Sequence, residues 1–384
     1  MVPSRVNAAI SLWRTQLPAV KPFYAVKCNP DPTFLNMLFD ANINFDCASE
    51  RELRAIRDLA RNTLPNRVVY ANPCKSERDL VAAKEMGSPM TVVDSVEEVE
   101  KLSASQYSGG ALVRVAVDDT DSLMPFSSKF GAPESQVEKI IVAAAGRRLP
   151  LHGISFHVGS GSGSADAVSR AMMQVSKFYS MFPIYGHREA KILDIGGGFL
   201  PCEEDFRKKC IHIRGALEDL APLGLKVIAE PGRFFAANSF DFYVKVIGKK
   251  AAFSICGTQV GWRYTVDDSI YGQFSNILFD KARPQWVRVS PDGKTRRYVK
   301  GTIFGRTCDS LDWIAKSEQM EELEVGDWLW FPRMGAYTRA TATEFNGFPM
   351  PDVIVTDSIC PSTVEKFPWQ MPLRVEFPRS VGEN

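Results

Sequence analysis

A chain of 384 residues, 45% hydrophobic and 24% charged, has room for two or three domains, and 46 basic against 45 acidic residues leave a net charge of +1. That balance excludes a global field for nucleic acid or an acidic membrane surface, so the expected partners are small molecules or proteins. No run of about 18 apolar residues suggests a membrane span. The eight cysteines, at positions 28, 47, 74, 202, 210, 256, 308 and 360, form no C-x-x-C pair and no zinc-ligand spacing. This pattern speaks against a disulfide scaffold or a metal site and for reduced thiols in the cytoplasm.

The first thirty residues carry Arg5, Arg14, Lys21 and Lys27 but no acid, a weak likeness to an organelle-targeting peptide. Ala8, Ile10, Leu12 and Trp13 fit a helix packing beneath the next strand equally well. From Phe23 to about Gly232 one theme repeats: a short β-branched run, then Gly, Pro, Asp or Ser, then a helical pattern, the mark of βα units. The predicted strands are Phe23–Lys27, Asn44–Ser49, Val68–Asn72, Met90–Asp94, Ala111–Val117, Leu151–Val158, Lys191–Ile195 and Leu225–Ala229. Eight such strands predict a closed α/β barrel, a (β/α)8 fold. Helix starts are legible in Ser49-Glu50-Arg51-Glu52, in Pro133-Glu134-Ser135, and at Ser76 and Ser95, each followed by acids. Beyond about Phe240, runs at Phe242–Val246, Trp286–Val289, Arg297–Phe304 and Trp328–Phe331, with the turn Pro291-Asp292-Gly293, predict a mainly antiparallel β domain. The expected division is 1–238 for the barrel and 239–384 for the β domain, whose polar tail Trp369–Asn384 is expected to fray.

Barrel enzymes keep their chemistry at the carboxyl ends of strands, and Lys27, Asp46, Arg114, His157, Gly196, Gly197, Gly198 and Glu230 all fall there. Lys27 ends an uncharged aromatic strand, where a desolvated amine can carry a Schiff base, although a solvated lysine fits that stretch too. The N–H groups of Gly196-Gly197-Gly198 can approach a phosphate closely, and Gly159-Ser160-Gly161-Ser162-Gly163-Ser164 provides a second anion-friendly loop. A tight turn and a flexible link are the plain alternatives. Glu230-Pro231-Gly232-Arg233 joins an acid suited to a cationic ring nitrogen with an arginine suited to a phosphate, or else a simple ion pair. His157 has a planar ring that can stack on an aromatic cofactor, though a lone strand histidine is more often a satisfied core residue. Cys308-Asp309 sets a thiol beside a carboxylate in a polar turn, with a buried structural cysteine as the alternative. Tyr337 and Phe345 follow a late strand, where core packing explains them nearly as well. Taken together, these parts describe a pyridoxal 5′-phosphate site.

Phe23-Tyr24-Ala25-Val26-Lys27-Cys28-Asn29, Phe45-Asp46-Cys47-Ala48-Ser49, Phe156-His157-Val158-Gly159-Ser160-Gly161, Asp194-Ile195-Gly196-Gly197-Gly198-Phe199, Glu230-Pro231-Gly232-Arg233, Cys308-Asp309-Ser310-Leu311-Asp312 and Gly335-Ala336-Tyr337-Thr338 run in one order. In that order the chain resembles the eukaryotic-type ornithine decarboxylases over nearly its whole length. The resemblance implies an alanine-racemase-like barrel followed by a β domain, and a homodimer with sites shared across a head-to-tail interface. It implies that Lys27 holds the cofactor aldehyde, His157 stacks on the ring and Glu230 pairs with the ring nitrogen. Ser160, the loop Gly196 to Gly198, Gly232, Arg233 and Tyr337 are implied around the phosphate, with Asp46 and Arg114 supporting the cofactor and Glu52 nearby. Cys308 and Asp309 are implied from the partner subunit, the thiol to reprotonate the α-carbon. Asp280, Asp309 and Phe345 are implied at the substrate. The resemblance also brings antizyme-like protein regulators into view, and a rival reading as a catalytically silent antizyme inhibitor, although such proteins lose cofactor contacts that this chain keeps. Lysine or arginine decarboxylation is the rival within enzymes. Departures from the family pattern are Phe279 for a tyrosine, Lys281 for a histidine, Arg306 for a proline and Ser310 for a glycine. The resemblance also leads one to expect an opening β-domain strand that the given sequence does not include, for which a short native amino end and a truncated gene model or fragment are equal explanations.

Overall fold

The structure, a computed structural model, describes residues 1–60, 67–120, 122–124, 127–289 and 295–357. Its first helix, Pro3–Gln16, buries Val6, Ile10 and Trp13, a stripe at helical spacing. Trp13 is 1% exposed and sits among Phe199, Phe206, Phe234 and Phe235, with ring centroids 5.0 to 5.7 Å away. The opening segment is therefore a helix packed on the barrel.

Ten short strands follow: β1 (Val20–Ala25), β2 (Asn44–Cys47), β3 (Val68–Tyr70), β4 (Met90–Val93), β5 (Ala111–Arg114), β6 (Ser122–Met124), β7 (Leu151–Ser155), β8 (Ser160–Ser162), β9 (Ile192–Asp194) and β10 (Lys226–Ala229). All but β6 and β8 close a parallel barrel in the order β1-β2-β3-β4-β5-β7-β9-β10. Most of the predicted strands overran at the carboxyl end, because the residues after Ala25, Cys47, Arg114 and Ser155 leave the ladder to form the rim. Lys27 accordingly lies two residues past its strand, on the 3-10 turn Val26–Cys28. The predicted Gly159–Ser164 loop is partly ordered instead: β8 pairs antiparallel with β6 in a separate two-stranded sheet. Helix starts follow the sequence signals, with Ser49 accepting from the Glu52 N–H, Ser95 from that of Glu98, and Ser76 in a reciprocal capping box with Asp79.

The second sheet contains β11 (Phe242–Phe253), β12 (Gln259–Val266), β13 (Val287–Val289), β14 (Tyr298–Phe304), β15 (Trp313–Glu321) and β16 (Trp328–Phe331), ordered β13-β16-β11-β12-β14-β15. Every pairing is antiparallel except β12 with β14. The sequence reading missed β12 and β15, because neither alternates cleanly: four consecutive residues of β15 are exposed. Its turn at Pro291-Asp292-Gly293 and the tail Trp369–Asn384 lie outside the described residues. Val244, Tyr264, Ile303, Leu329 and Phe331 belong to a core separate from that of the barrel. Residues 335–337 and 353–357 nevertheless return to the barrel: Ala336 joins its core, and the Thr356 N–H bonds the Met1 carbonyl at 3.0 Å. No helix among the described residues is long and apolar enough to cross a membrane.

Candidate active site

Strand register collects the chemistry on one rim. Ala25 pairs with Asp46, Arg114 with Ser155, Ser155 with Asp194, and Asp194 with Ile228, so Lys27, His157 and Glu230 leave their strands at nearly one level. Phe23, Val69 and Ile228 form a small cluster with Met90 and Ile192 packed on it. Because side chains alternate along a strand, the residues two steps on from Ile192 and Ile228 share that face, and they are Asp194 and Glu230. An apolar floor thus carries an acidic rim.

Lys27 forms a short hydrogen-bonded ion pair with fully buried Asp46, while 44% of its own side chain stays accessible at the mouth. Burial opposes the Lys27 ammonium, but Asp46 and then Glu230 outweigh it and hold its pKa above the ordinary lysine value. Its turn is clamped from the second sheet's side, by the Tyr337 N–H on the Cys28 carbonyl at 3.0 Å and by Asn29 Nδ2 on the Gly335 carbonyl at 2.9 Å. Glu52 accepts the Ala48 N–H at 2.7 Å, and burial raises its carboxyl pKa.

Half-buried Glu230 and fully buried Asp194 are a carboxyl pair. Burial first, and then each other's proximity, push Glu230 well above the usual carboxylate range, and burial also raises Asp194, so the pair retains a proton near neutral pH. The His157 ring is held neutral, chiefly by burial and then by Arg114, Lys27 and Lys209, and its Nδ1 accepts the Gly159 N–H at 3.0 Å. Arg114 stacks its guanidinium 5.2 Å from the Phe130 centroid.

Arg233 does not pair with Glu230. Its partner is Asp280, in a two-pronged contact at 2.6 and 2.7 Å, while Nη2 reaches Ser160 Oγ at 3.1 Å and the guanidinium lies 4.9 Å from the Tyr337 ring centroid. Tyr337 holds this place at φ +53°, a left-handed backbone unusual for a tyrosine.

Cys308, Asp309 and Phe345 form a second group. Cys308 is exposed, with Sγ 3.8 Å from Asn346 Oδ1, while Asp309 accepts the Tyr271 hydroxyl and Tyr271 stacks on Phe345 at 4.3 Å. Asp312 shapes this turn by accepting the N–H groups of Ile270 and Thr307 at 2.9 and 3.0 Å. No hydrogen bond, ion pair or ring contact among the described residues joins this group to Lys27, Asp46 or Glu230. Sequence reading quoted Asp194 and Asp312 within its motifs but gave neither carboxylate a role, and it missed Tyr271. Alternation along the strand could have found Asp194; the other two depend on loop contacts that carry no spacing signal.

The rim fits pyridoxal phosphate. The N–H groups of Gly197, Gly198 and Phe199 carry no hydrogen bond among the described residues. A Cβ at Gly197 would stand 2.7 Å from His157 Nε2, and one at Gly198 equally close to the Gly159 carbonyl, so the cradle is cut for backbone. Asp46 Oδ1 is a buried acceptor without a partner among the described residues. Fold and rim are those of an amino-acid decarboxylase that uses this cofactor: residues 3–237 match the family described as pyridoxal-dependent decarboxylase, pyridoxal binding domain, and the chain belongs to that family. It is 36% identical over 354 residues to the chloroplastic ornithine decarboxylase of Nicotiana glauca, spanning 89% of this chain and 79% of that one. It is also 36% identical over 344 residues to antizyme inhibitor 2 of Xenopus laevis, spanning 86% and 75%. Among solved structures it resembles the arginine decarboxylase of Paramecium bursaria Chlorella virus bound to agmatine, with TM-score 0.85, 34% identity and coverage of 92% and 95%.

Proposed function

We propose that this chain removes the α-carboxylate of a basic amino acid, L-ornithine in the first place to give putrescine, at a site built on Lys27. The observation that carries this reading is the single rim joining the Lys27–Asp46 pair, the proton-holding Glu230–Asp194 pair and the unpaired glycine N–H groups. Bound there, pyridoxal phosphate supplies the electron sink that decarboxylation needs. Lys27 would hold the cofactor by its aldehyde, with Asp46 keeping the amine aimed at the mouth. Glu230 would keep a proton available to the ring nitrogen, and the neutral His157 ring would stack on the cofactor. The loop Gly196 to Gly198, with Ser160, Gly232, Arg233 and Tyr337, would take the phosphate, and Arg114 would add positive charge.

Asp280 and Asp309 suit a distal ammonium through charge-assisted hydrogen bonds, with Phe345 alongside. Their acidity supports a basic substrate, and the ornithine decarboxylase relative supports ornithine. The likeness to an arginine decarboxylase and the neighbours Phe279 and Lys281 keep arginine and lysine as rivals for the far end of the pocket. Cys308 and Asp309 lie in a group of their own, which supports a homodimer whose partner subunit completes each site, Cys308 returning a proton to the α-carbon. The likeness to an antizyme inhibitor supports a protein regulator of antizyme type as a further partner, and the free thiols at 28, 47, 74, 202, 210, 256 and 308 support a cytoplasmic setting.

The test is complementation. Lys27→Ala and Cys308→Ala proteins are each expected to be inactive alone and, after mixing and re-association, to regain about a quarter of wild-type activity, since random pairing gives one competent site in half the dimers. Mixtures that stay inactive, although mixed dimers form, would contradict sites shared between subunits.

A further inference from the structure

The helix Glu203–Asp219, which follows the glycine loop, buries Phe206, Lys209, Cys210, Ile213 and Ala216 on one face. Four of these are apolar packing residues; the fifth is a lysine only 4% exposed. A buried ammonium is costly unless something negative answers it. Among the described residues Lys209 has no carboxylate partner. Its Nζ donates to the Gly198 carbonyl at 2.9 Å and lies 5.8 Å from the Phe199 ring centroid. Both contacts belong to the loop whose Gly197, Gly198 and Phe199 N–H groups are unpaired.

The geometry matters because the Gly198 carbonyl and the Phe199 N–H share one planar trans peptide and point in opposite directions. Holding the carbonyl on Lys209 fixes the direction of that N–H. Gly198 itself sits at φ +89°. Lys209 therefore grips the loop from behind, and in direct contact its ammonium meets a carbonyl dipole and a ring face, with Asp205 acting on it at longer range.

We propose that Lys209 is a positioning residue for the cofactor phosphate, orienting the glycine loop through the Gly198 carbonyl and setting a buried positive charge behind it that the phosphate dianion completes. This rests on the reading of that loop as the phosphate site. Burial lowers Lys209 to about 8, with Asp205 and Cys210 on its own helix pulling the other way, and the neutral His157 ring is the titratable group across from it. A phosphate monoester loses its second proton near about pH 6 and is a dianion through this range. The sign follows: Lys209 loses its charge as pH rises through about 8, so the affinity for phosphate falls there.

The experiment measures binding of pyridoxamine 5′-phosphate, which lacks the aldehyde that Lys27 needs, and of unphosphorylated pyridoxamine, by fluorescence titration of the ligand-free protein between pH 7 and pH 9. Lys209→Met is expected to weaken the phosphorylated probe by about tenfold at pH 7.5, the scale of one charge-assisted contact. It should leave pyridoxamine unchanged, abolish the weakening seen above pH 8, and leave the ligand-free melting temperature unchanged or higher. Lys209→Gln, which keeps a donor but no charge, should bind between the two. Equal binding of the phosphorylated probe by Lys209→Met, or an equal loss for both probes, overturns the role of Lys209. Wild-type protein that binds neither probe overturns the cofactor reading itself, and this proposal with it.

Discussion

At the scale of single residues, the site depends on acids arranged around a lysine. Asp46 was expected from its strand end and from the family resemblance as a support for Lys27, and the ion pair shows how: together with Glu230 it outweighs the burial that would neutralise Lys27. Asp194 was read only as the lead into three glycines. Its carboxyl is raised to about 7 by burial and faces Glu230, raised further still. An acid raised on folding contributes stability that is complete below its unfolded pKa, near about 4, and is lost as pH rises through its folded value. The ligand-free protein is therefore expected to lose stability between about pH 4 and pH 7, at most about 1.4 kcal/mol per pH unit for one proton. Asp194→Asn should flatten that slope in melting curves taken across the range. Parallel curves for the two proteins would contradict a proton-holding pair.

At the scale of elements, strand ends and helix caps were legible because each has a local cause. Ser49, Ser76 and Ser95 have side-chain oxygens that meet N–H groups otherwise left open, and the sequence places acids after each. The rim was harder, because residues such as Val26 and Phe156 look like strand yet leave the ladder. Strands β12 and β15 were illegible because they present mixed faces to solvent. The opening helix was readable in either of two ways until its surroundings were known. Packed at one hundredth exposure among four phenylalanines, Trp13 ties that helix to the segments after β9 and β10. Trp13→Ala is expected to cost about 3–5 kcal/mol of stability. A shift in urea midpoint equivalent to less than about 1 kcal/mol would mean that the helix is not integral to the barrel.

At the scale of the whole molecule, the lysine, its acids and the glycine loop sit on one barrel, while the thiol and its carboxylate sit beside Tyr271 and Phe345 among the loops of the second sheet. Sequence order showed which motifs are present, but it could not show that Asp280 meets Arg233, a contact bridging the two halves of the chain. That contact sets the acid proposed for the substrate's distal ammonium against the cation proposed for the phosphate. The most direct measurement incubates the purified protein and pyridoxal phosphate with equal ornithine, lysine and arginine and identifies the amines formed. The account predicts putrescine in excess, with carbon dioxide released in equal amount; no amine from any of the three would contradict it.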